Sequence, residues 1–109
     1  MLKNSLTVMC HGFFSTLANP TRLAIIEALT EKPMSVNQIV KELGQEQSMI
    51  SHNLKRLIDC HFVESRRDGK QKIYSVNRET VTPLMKVVET HYHNFCLDGA
   101  ACHLNVKKE

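Results

Sequence analysis

Residues 35–76 carry the pattern that most constrains the fold of this 109-residue chain. Ser35 and Gln38 have the spacing of a capping box, in which two side chains satisfy backbone groups at the start of a helix. Apolar residues then follow at the i, i+3, i+4, i+7 spacing of one helix face: Val36, Ile39, Val40 and Leu43. Gly44 stands where this helix should end, because glycine adopts the left-handed conformation most easily. The pattern predicts a short helix followed by a tight turn.

A second helix is predicted from about Gln47 to Asp59, with one apolar and one polar face. The apolar stripe consists of Ile50, Leu54, Leu57 and Ile58. The opposite face and the first turn carry short polar side chains and charges: Gln47, Ser48, Ser51, His52, Lys55 and Asp59. Side chains of this kind can reach base edges and phosphates, and the first half of a recognition helix does most of the base reading. An ordinary solvated helix face has a similar composition, so this helix alone leaves both interpretations open.

The stretch after this helix is typical of a β-hairpin. Strand-like runs at 62–67 and 71–76 flank Asp68-Gly69, which is a strong hairpin signal. The whole chain has a formal net charge of only +3, yet basic residues are concentrated between positions 55 and 72: Lys55, Arg56, Arg66, Arg67, Lys70 and Lys72. Clustered Lys and Arg neutralise phosphates and release counterions, which gives salt-sensitive affinity for nucleic acid. We interpret 62–76 as a wing beside a helix-turn-helix at 35–59, the alternative being a charged soluble surface.

Helices are also predicted at both ends of the chain, over 6–17 and 78–97. The first has apolar residues on one side: Leu6, Met9, Phe13, Phe14 and Leu17. The last has a nearly heptad seam: Val81, Leu84, Met85, Val88, Tyr92 and Phe95. Asn19-Pro20 should cap and begin a further helix, which Pro33 stops. One small domain cannot easily cover both terminal faces, so we favour a two-fold dimer through these helices over closure of the monomer core.

Size and composition limit the class of protein. A chain of 109 residues is expected to form one domain, 1–109, that is mainly α with a small β-hairpin in the order α-α-α-α-β-β-α. No apolar run approaches 18 residues and the N-terminus lacks a signal-peptide pattern, so we expect no membrane contact and a cytoplasmic location. Four cysteines there are thiols, metal ligands or redox sensors rather than structural disulfides. Without a Gly-rich phosphate loop or a Ser/His/Asp arrangement, we expect no enzyme.

Three motifs in order resemble the arsenic-repressor (ArsR/SmtB) family of winged helix-turn-helix regulators. They are LANPTRLAII at 17–26, QSMISHNLKRL at 47–57 and DGK followed by IYSV between 68 and 76. The resemblance implies a homodimer that binds double-stranded operator DNA through Gln47, Ser48, Ser51, His52, Lys55, Arg66, Arg67, Lys70 and Lys72. Where the family usually has a helix-capping serine, this chain has Glu46. Its carboxylate can still accept backbone N–H bonds, but it would lie close to DNA phosphates.

The chain is rich in soft metal ligands: Cys10-His11, Cys60-His61, His91, His93, Cys96 and Cys102-His103. Thiolates and imidazoles suit zinc, copper(I) and trivalent arsenic. On the last helix, Glu89, His93 and Cys96 share one flank. Asp98-Gly99 is expected to end that helix, so Cys102 can fold back toward Cys96. A site of Cys96 and Cys102, completed by His93, His103 or a Cys10 from either chain, is geometrically feasible.

The family comparison narrows the choice of ligands. The arsenic-type Cys-x-Cys is absent from Val36–Leu43, and at the positions of the family's terminal-helix zinc site only His91 could ligate. Cys96 with Cys102 looks most like members that bind arsenic near the end of the terminal helix. We therefore expect arsenite, zinc or another soft metal at Cys96, Cys102, Cys10 and His93 to release the operator. A thiol-based redox or persulfide sensor and a winged-helix module that does not read DNA remain alternatives, and the roles of Cys60 and His91 stay open.

Overall fold

A computed structural model describes residues 6–96 of the chain. Its elements are α1 (Leu6–Leu17), α2 (Pro20–Glu31), α3 (Val36–Leu43), α4 (Gln47–Asp59), β1 (Val63–Asp68), β2 (Gln71–Val76), α5 (Val81–His91) and a π-helical segment (Tyr92–Cys96). This order confirms the predicted winged helix-turn-helix. None of the described helices is long and apolar enough to cross a membrane. The chain divides into two compact units, with the boundary between Asn77 and Arg78. The prediction of a single domain over 1–109 stays a prediction, since 1–5 and 97–109 lie outside the described residues.

The core of the N-terminal unit lies where α2, α3 and α4 pack together with the hairpin. Its fully buried side chains are aliphatic: Ile25, Ile26, Ile39, Ile50, Leu54, Leu57 and Val63. Burying each such side chain contributes about 1.5–3 kcal/mol. The predicted apolar stripe of α4 is therefore confirmed at three of its positions, while Ile58 is half-buried. Helix α1 joins this core through its last turn, where Leu17 is buried, and through Phe13, whose ring centroid lies 4.9 Å from that of Phe62.

Local capping sets the helix boundaries that the sequence predicted. The Asn19 side chain accepts a hydrogen bond from the Arg22 amide, and Pro20 occupies the first turn, where a missing N–H costs nothing. The capping box of α3 is complete: the Gln38 amide donates to Ser35 Oγ at 3.3 Å, and the Ser35 amide donates to Gln38 Oε1 at 2.8 Å. Helix α3 ends at Gly44, whose φ of 65° is left-handed.

The hairpin differs from the prediction by one residue. Asp68 pairs with Gln71, so Asp68 still belongs to β1 and the two-residue turn is Gly69-Lys70. Gly69 has a φ of 70°, whereas Lys70 is not among the described residues with positive φ. A positive φ at the first turn residue only is the sign pattern of a type II′ turn, which matches the twist of the two strands. The Asp-Gly signal thus located the hairpin but not the centre of its turn.

The base of the wing is bonded to the loop between α2 and α3. Met34 and Tyr74 exchange two backbone hydrogen bonds, with N···O distances of 3.0 and 2.8 Å, and both side chains are buried. This isolated antiparallel bridge pairs residues that are far apart in sequence, and sequence patterns did not reveal it. The wing is therefore held to the body of the unit at its base.

The C-terminal unit corrects the predicted helix over 78–97. Helix α5 begins at Val81, so that Pro83 lies in its first turn and needs no N–H partner. A helix starting at residue 78 would have required a hydrogen bond from Pro83 and would have brought its ring against the carbonyl four residues earlier. After His91 the chain continues as the π-helical segment Tyr92–Cys96, and residue 97 lies outside the described residues.

Helix α4 ends in a Schellman motif that is built on a histidine. The Phe62 amide donates to the Leu57 carbonyl and the His61 amide to the Ile58 carbonyl, both at 2.9 Å. His61 stands at the position where glycine is usual, and its φ is 64°. It is the one non-glycine residue with positive φ in the part of the chain that the structure describes. This conformation costs a residue with a Cβ roughly 1–2 kcal/mol.

Replacing His61 with glycine should raise the free energy of unfolding by about 1 kcal/mol, because the left-handed conformation carries no Cβ penalty in glycine. Urea unfolding at one fixed protein concentration measures the change. His61→Ala is the matched control, since it removes the imidazole but keeps the penalty, and it should give no gain. Equal stability of the Gly and Ala variants would contradict this account of the helix end.

Candidate nucleic-acid interface

Helix α4 presents the polar side chains that the sequence singled out. Its buried residues are Ile50, Asn53, Leu54 and Leu57. The predicted DNA-contacting residues of this helix are all exposed: Gln47, Ser48, Ser51, His52 and Lys55. Lys55 Nζ lies 3.7 Å from Asp59 Oδ2, but both side chains are more than half exposed, and such a pair is worth at most about 1 kcal/mol. Lys55 can therefore exchange this partner for a phosphate.

The wing presents its four predicted basic residues, Arg66, Arg67, Lys70 and Lys72, all of them exposed. Side chains alternate between the two faces of a strand, so Arg67 lies on the same face of β1 as the buried Val63. Its cross-strand partner is Lys72, which shares a face of β2 with the buried Tyr74. Two cations thus stand directly opposite each other on the face of the wing that continues the core. A like-charge pair in this position is destabilising by itself.

The start of α4 lies next to a carboxylate. Glu46 is the N-cap residue, but its side chain makes no capping hydrogen bond. The carboxylate instead faces the Ser48 hydroxyl, with 3.5 Å between Ser48 Oγ and Glu46 Oε1. The Glu46 carboxylate, which could accept backbone N–H bonds at this helix start, therefore makes no capping hydrogen bond there. The long contact with Ser48 holds a negative charge beside a residue predicted to contact DNA.

The predicted metal ligands are spread over the two units. Cys10 is half-buried in α1, His93 is exposed in the π-helical segment, and Cys96 at the end of that segment is buried. Cys102 lies outside the described residues. Among residues 6–96, no group of three or more His, Cys, Asp or Glu side chains could hold a metal ion. Glu89, His93 and Cys96 therefore do not form such a group by themselves.

The two residues whose roles were left open are both placed by the structure. Cys60 is the exposed C-cap residue of α4, and its Sγ lies 3.8 Å from Thr16 Oγ1. His91 is exposed at the end of α5, and its ring centroid lies 5.0 Å from that of Phe95. Neither belongs to a cluster of metal ligands among the described residues.

Sequence reasoning did not assign two polar residues that join the helices of the N-terminal unit. Asn53 is 7% exposed, and its Oδ1 accepts a hydrogen bond from Arg22 Nε at 3.0 Å. The signal was present, because Asn53 lies three residues after Ile50 and four before Leu57, on the apolar stripe itself. A polar residue at a core position needs a hydrogen-bond partner, and the half-buried Arg22 supplies it.

Comparisons with known proteins agree with this geometry. Residues 19–65 match the profile of the bacterial regulatory proteins of the arsR family. A probable mercury resistance operon repressor of Streptomyces lividans is 37% identical over 73 residues, which cover 67% of this chain and 58% of that protein. The chain spans about two thirds or less of the curated relatives that it matches first.

Two solved structures share the fold over most of their length. The crystal structure of Rv0081 from Mycobacterium tuberculosis has a TM-score of 0.79 and 33% identity, covering 85% of this chain and 94% of that one. The homodimeric winged helix-turn-helix DNA-binding domain Mb0332 from Mycobacterium bovis has a TM-score of 0.79 and 27% identity, covering 93% and 94%. Members of this family are DNA-binding transcriptional regulators and not enzymes. The motifs, the fold and the relatives of this chain together show that it belongs to the arsR family of bacterial regulatory proteins.

Proposed function

We propose that this chain is a cytoplasmic, homodimeric repressor that binds double-stranded operator DNA through α4 and the wing. The observation that carries the proposal is the exposed polar face of α4 followed directly by the cationic wing. Gln47, Ser48, Ser51 and His52 supply short donors and acceptors for base edges in the major groove. Lys55 and the basic residues of the wing neutralise phosphates and give the sequence-independent part of the affinity.

Exposed apolar side chains support the dimer. In α1 these are Leu6, Val8, Met9 and Phe14, and in α5 and the π-helical segment they are Val87, Val88, Tyr92 and Phe95. Exposed apolar surface on this scale marks an interaction site, and the Mycobacterium bovis relative is a homodimer. We propose that α1 and α5 form a two-fold interface. Two recognition helices about one turn of DNA apart would then read a palindromic operator.

We propose that a soft metal or metalloid ion, such as arsenite or zinc, releases the operator by binding near the end of the terminal helix. The ligands would be Cys96 and Cys102, with Cys10 or His93 completing the set. Two features support this. Cys96 is buried in a π-helical segment, a type of irregularity frequent at functional sites, and a relative is a probable mercury resistance repressor. Release requires the ion to favour the non-binding state by about 1–3 kcal/mol or more.

Removing the cationic pair of the wing should weaken DNA binding while stabilising the fold. In the double variant Arg67→Gln/Lys72→Gln, each lost phosphate contact makes the slope of log affinity against log salt less negative by about 0.9. The free energy of unfolding should rise by about 0.2–1 kcal/mol, because a like-charge cross-strand pair disappears. Salt titration of duplex binding and urea unfolding test both effects. Arg78→Gln, an exposed cation outside the wing, is the control, and an unchanged salt slope in the double variant would contradict this role of the wing.

Two substitutions of Glu46 distinguish the effect of its charge on DNA affinity from the effect of the N-cap residue on stability. Glu46→Gln and Glu46→Ser should both raise affinity for duplex DNA, because either removes a negative charge next to α4. Only serine caps a helix well, so the Ser variant should be about 1 kcal/mol more stable than the Gln variant. Fluorescence anisotropy with a labelled duplex and urea unfolding give the two readouts. If Glu46→Gln bound DNA no better than the unmodified protein, the carboxylate would not lie near phosphates.

The effector site is tested by the double variant Cys96→Ser/Cys102→Ser. Arsenite or Zn²⁺ should release the unmodified protein from its operator, and the double variant should stay bound, because serine is a poor ligand for soft ions. Cys60→Ser serves as the thiol control and should respond normally. An unchanged response of the double variant would refute the site.

The same assay separates the redox alternative. Release by peroxide or polysulfide, with a disulfide or persulfide found by mass spectrometry and no response to metals, would favour a thiol-based sensor.

A further inference from the structure

One arginine joins three helices of the N-terminal unit. Arg22 lies in the first turn of α2. Its Nε donates to Asn53 Oδ1 of α4 at 3.0 Å, and its Nη1 donates to the Thr16 carbonyl of α1 at 2.7 Å. The planar guanidinium holds its donors in a fixed fork, so the two bonds set the directions of both acceptors together.

The acceptor on α1 is available because of a proline. In a continuing helix, the Thr16 carbonyl would accept from the amide four residues later, but residue 20 is Pro20 and has no N–H. The carbonyl of Thr16 is therefore one of the unpartnered groups of a helix end. A cation at the C-terminus of α1 also interacts favourably with the helix dipole. Thr16 is buried, so its carbonyl needs a partner from the protein.

The acceptor on α4 is fixed as well. Asn53 is the one buried polar residue of α4, and its Nδ2 donates to the Met49 carbonyl at 2.9 Å. Both ends of the amide are thus engaged, which leaves Oδ1 pointing at Arg22. A second contact lies at the end of the same helix, where the Sγ of Cys60 is 3.8 Å from Thr16 Oγ1. The last turn of α1 is therefore joined to the middle of α4 through the Arg22 side chain, and it contacts the C-cap residue of α4 directly.

We propose that Arg22 and Asn53 are positioning residues that set the rotation of α4, and through it the discrimination between operator and unrelated DNA. The inference rests on the proposed DNA-binding function. Asn53 is flanked in sequence by residues of the proposed reading face, among them His52 and Lys55. At a helix radius of about 5–6 Å with side chains, a rotation of about 20° moves a side-chain tip by about 2 Å. A hydrogen bond to a base edge is broken by such a shift, because its distance and angle are narrowly limited. Long basic side chains can still reach a phosphate after the same shift.

The aliphatic stripe of α4 alone does not define this rotation. Ile50, Leu54 and Leu57 decide which side of the helix is buried, but apolar packing has no directional component of its own. The bonds from Arg22 Nε to Asn53 and from Arg22 Nη1 to Thr16 are directional, and they connect α4 to two other helices. The hydrogen bonds of this network therefore fix the rotation of α4 about its own axis, which apolar burial alone does not do.

The test compares specific with non-specific DNA binding in the whole 109-residue chain. The unmodified protein first selects a preferred duplex from a random library, and a shuffled duplex of equal length and composition serves as the non-specific probe. Arg22→Lys keeps the positive charge but cannot present the two donors in one fixed plane. Asn53→Ser keeps a short polar group but loses the reach to Arg22. Arg78→Lys, in the other unit, is the matched control.

In Arg22→Lys and in Asn53→Ser, affinity for the selected duplex should fall about tenfold or more relative to affinity for the shuffled duplex. The salt slope on the shuffled duplex should stay unchanged. The double variant should lose no more of the ratio than either single variant, because both changes break one network. A purely structural role would lower the melting temperature and leave the ratio alone. The ratio of the two affinities is also insensitive to a fraction of inactive protein, because inactive protein lowers the apparent affinity for both duplexes equally.

A selected-to-shuffled ratio equal to that of the unmodified protein in both variants would overturn the positioning role, while the proposed function would stand. Failure of the unmodified protein to enrich any duplex would refute the proposed function itself, and the inference with it. A fully additive loss in the double variant would show that the two residues act separately, which also overturns the network.

Discussion

The unequal burial of the two sides of α4 is the constraint on which the rest of this structure depends. Ile50, Leu54 and Leu57 are at most 2% exposed, whereas the polar side chains of the opposite face stay in solvent. A helix of 13 residues would be marginal by itself in water, so α4 exists because α2, α3 and the hairpin cover its apolar side. The same packing leaves the polar side of α4 exposed and free to bind a partner. Stability and recognition are thus two results of one arrangement.

Two charged features around this helix act in opposite ways on DNA binding. Arg67 and Lys72 face each other across the wing, where they repel each other in the isolated protein, and the negative charge of Glu46 stands at the start of α4. This pair of cations becomes favourable only next to a polyanion. Such behaviour is expected of a surface that binds DNA. Glu46 has the opposite sign and would limit affinity for any duplex. A regulator that must leave its operator benefits from such moderation, because tight non-specific binding would compete with release.

Sequence patterns predicted local features well because their causes are local. The capping box of Ser35 and Gln38, the left-handed Gly44 and the first-turn Pro20 each depend on residues within one helical turn. The predicted start of α5 at residue 78 was wrong because the apolar pattern that begins at Val81 does not include Arg78. Pro83 has no N–H and fits only the first turn of a helix, which also places the start near Val81. The Met34–Tyr74 bridge joins residues far apart in the chain, and no periodicity encodes it. The periodicity of α4 does place Asn53 at a core position, but it does not identify Arg22 as the partner. The candidate effector site was predicted from ligand chemistry, helical spacing and the family resemblance, and part of it lies outside the described residues.

The bridge between Met34 and Tyr74 has a mechanical consequence for the wing. The ribbon is clamped at its base, where Val63, Tyr74 and Val76 are buried, and from Glu64 to its turn β1 is exposed. A ribbon that is held at one end can move most at its other end, here at Gly69 and Lys70. Bending there would let the tip follow duplexes of different groove width without breaking the bridge at the base.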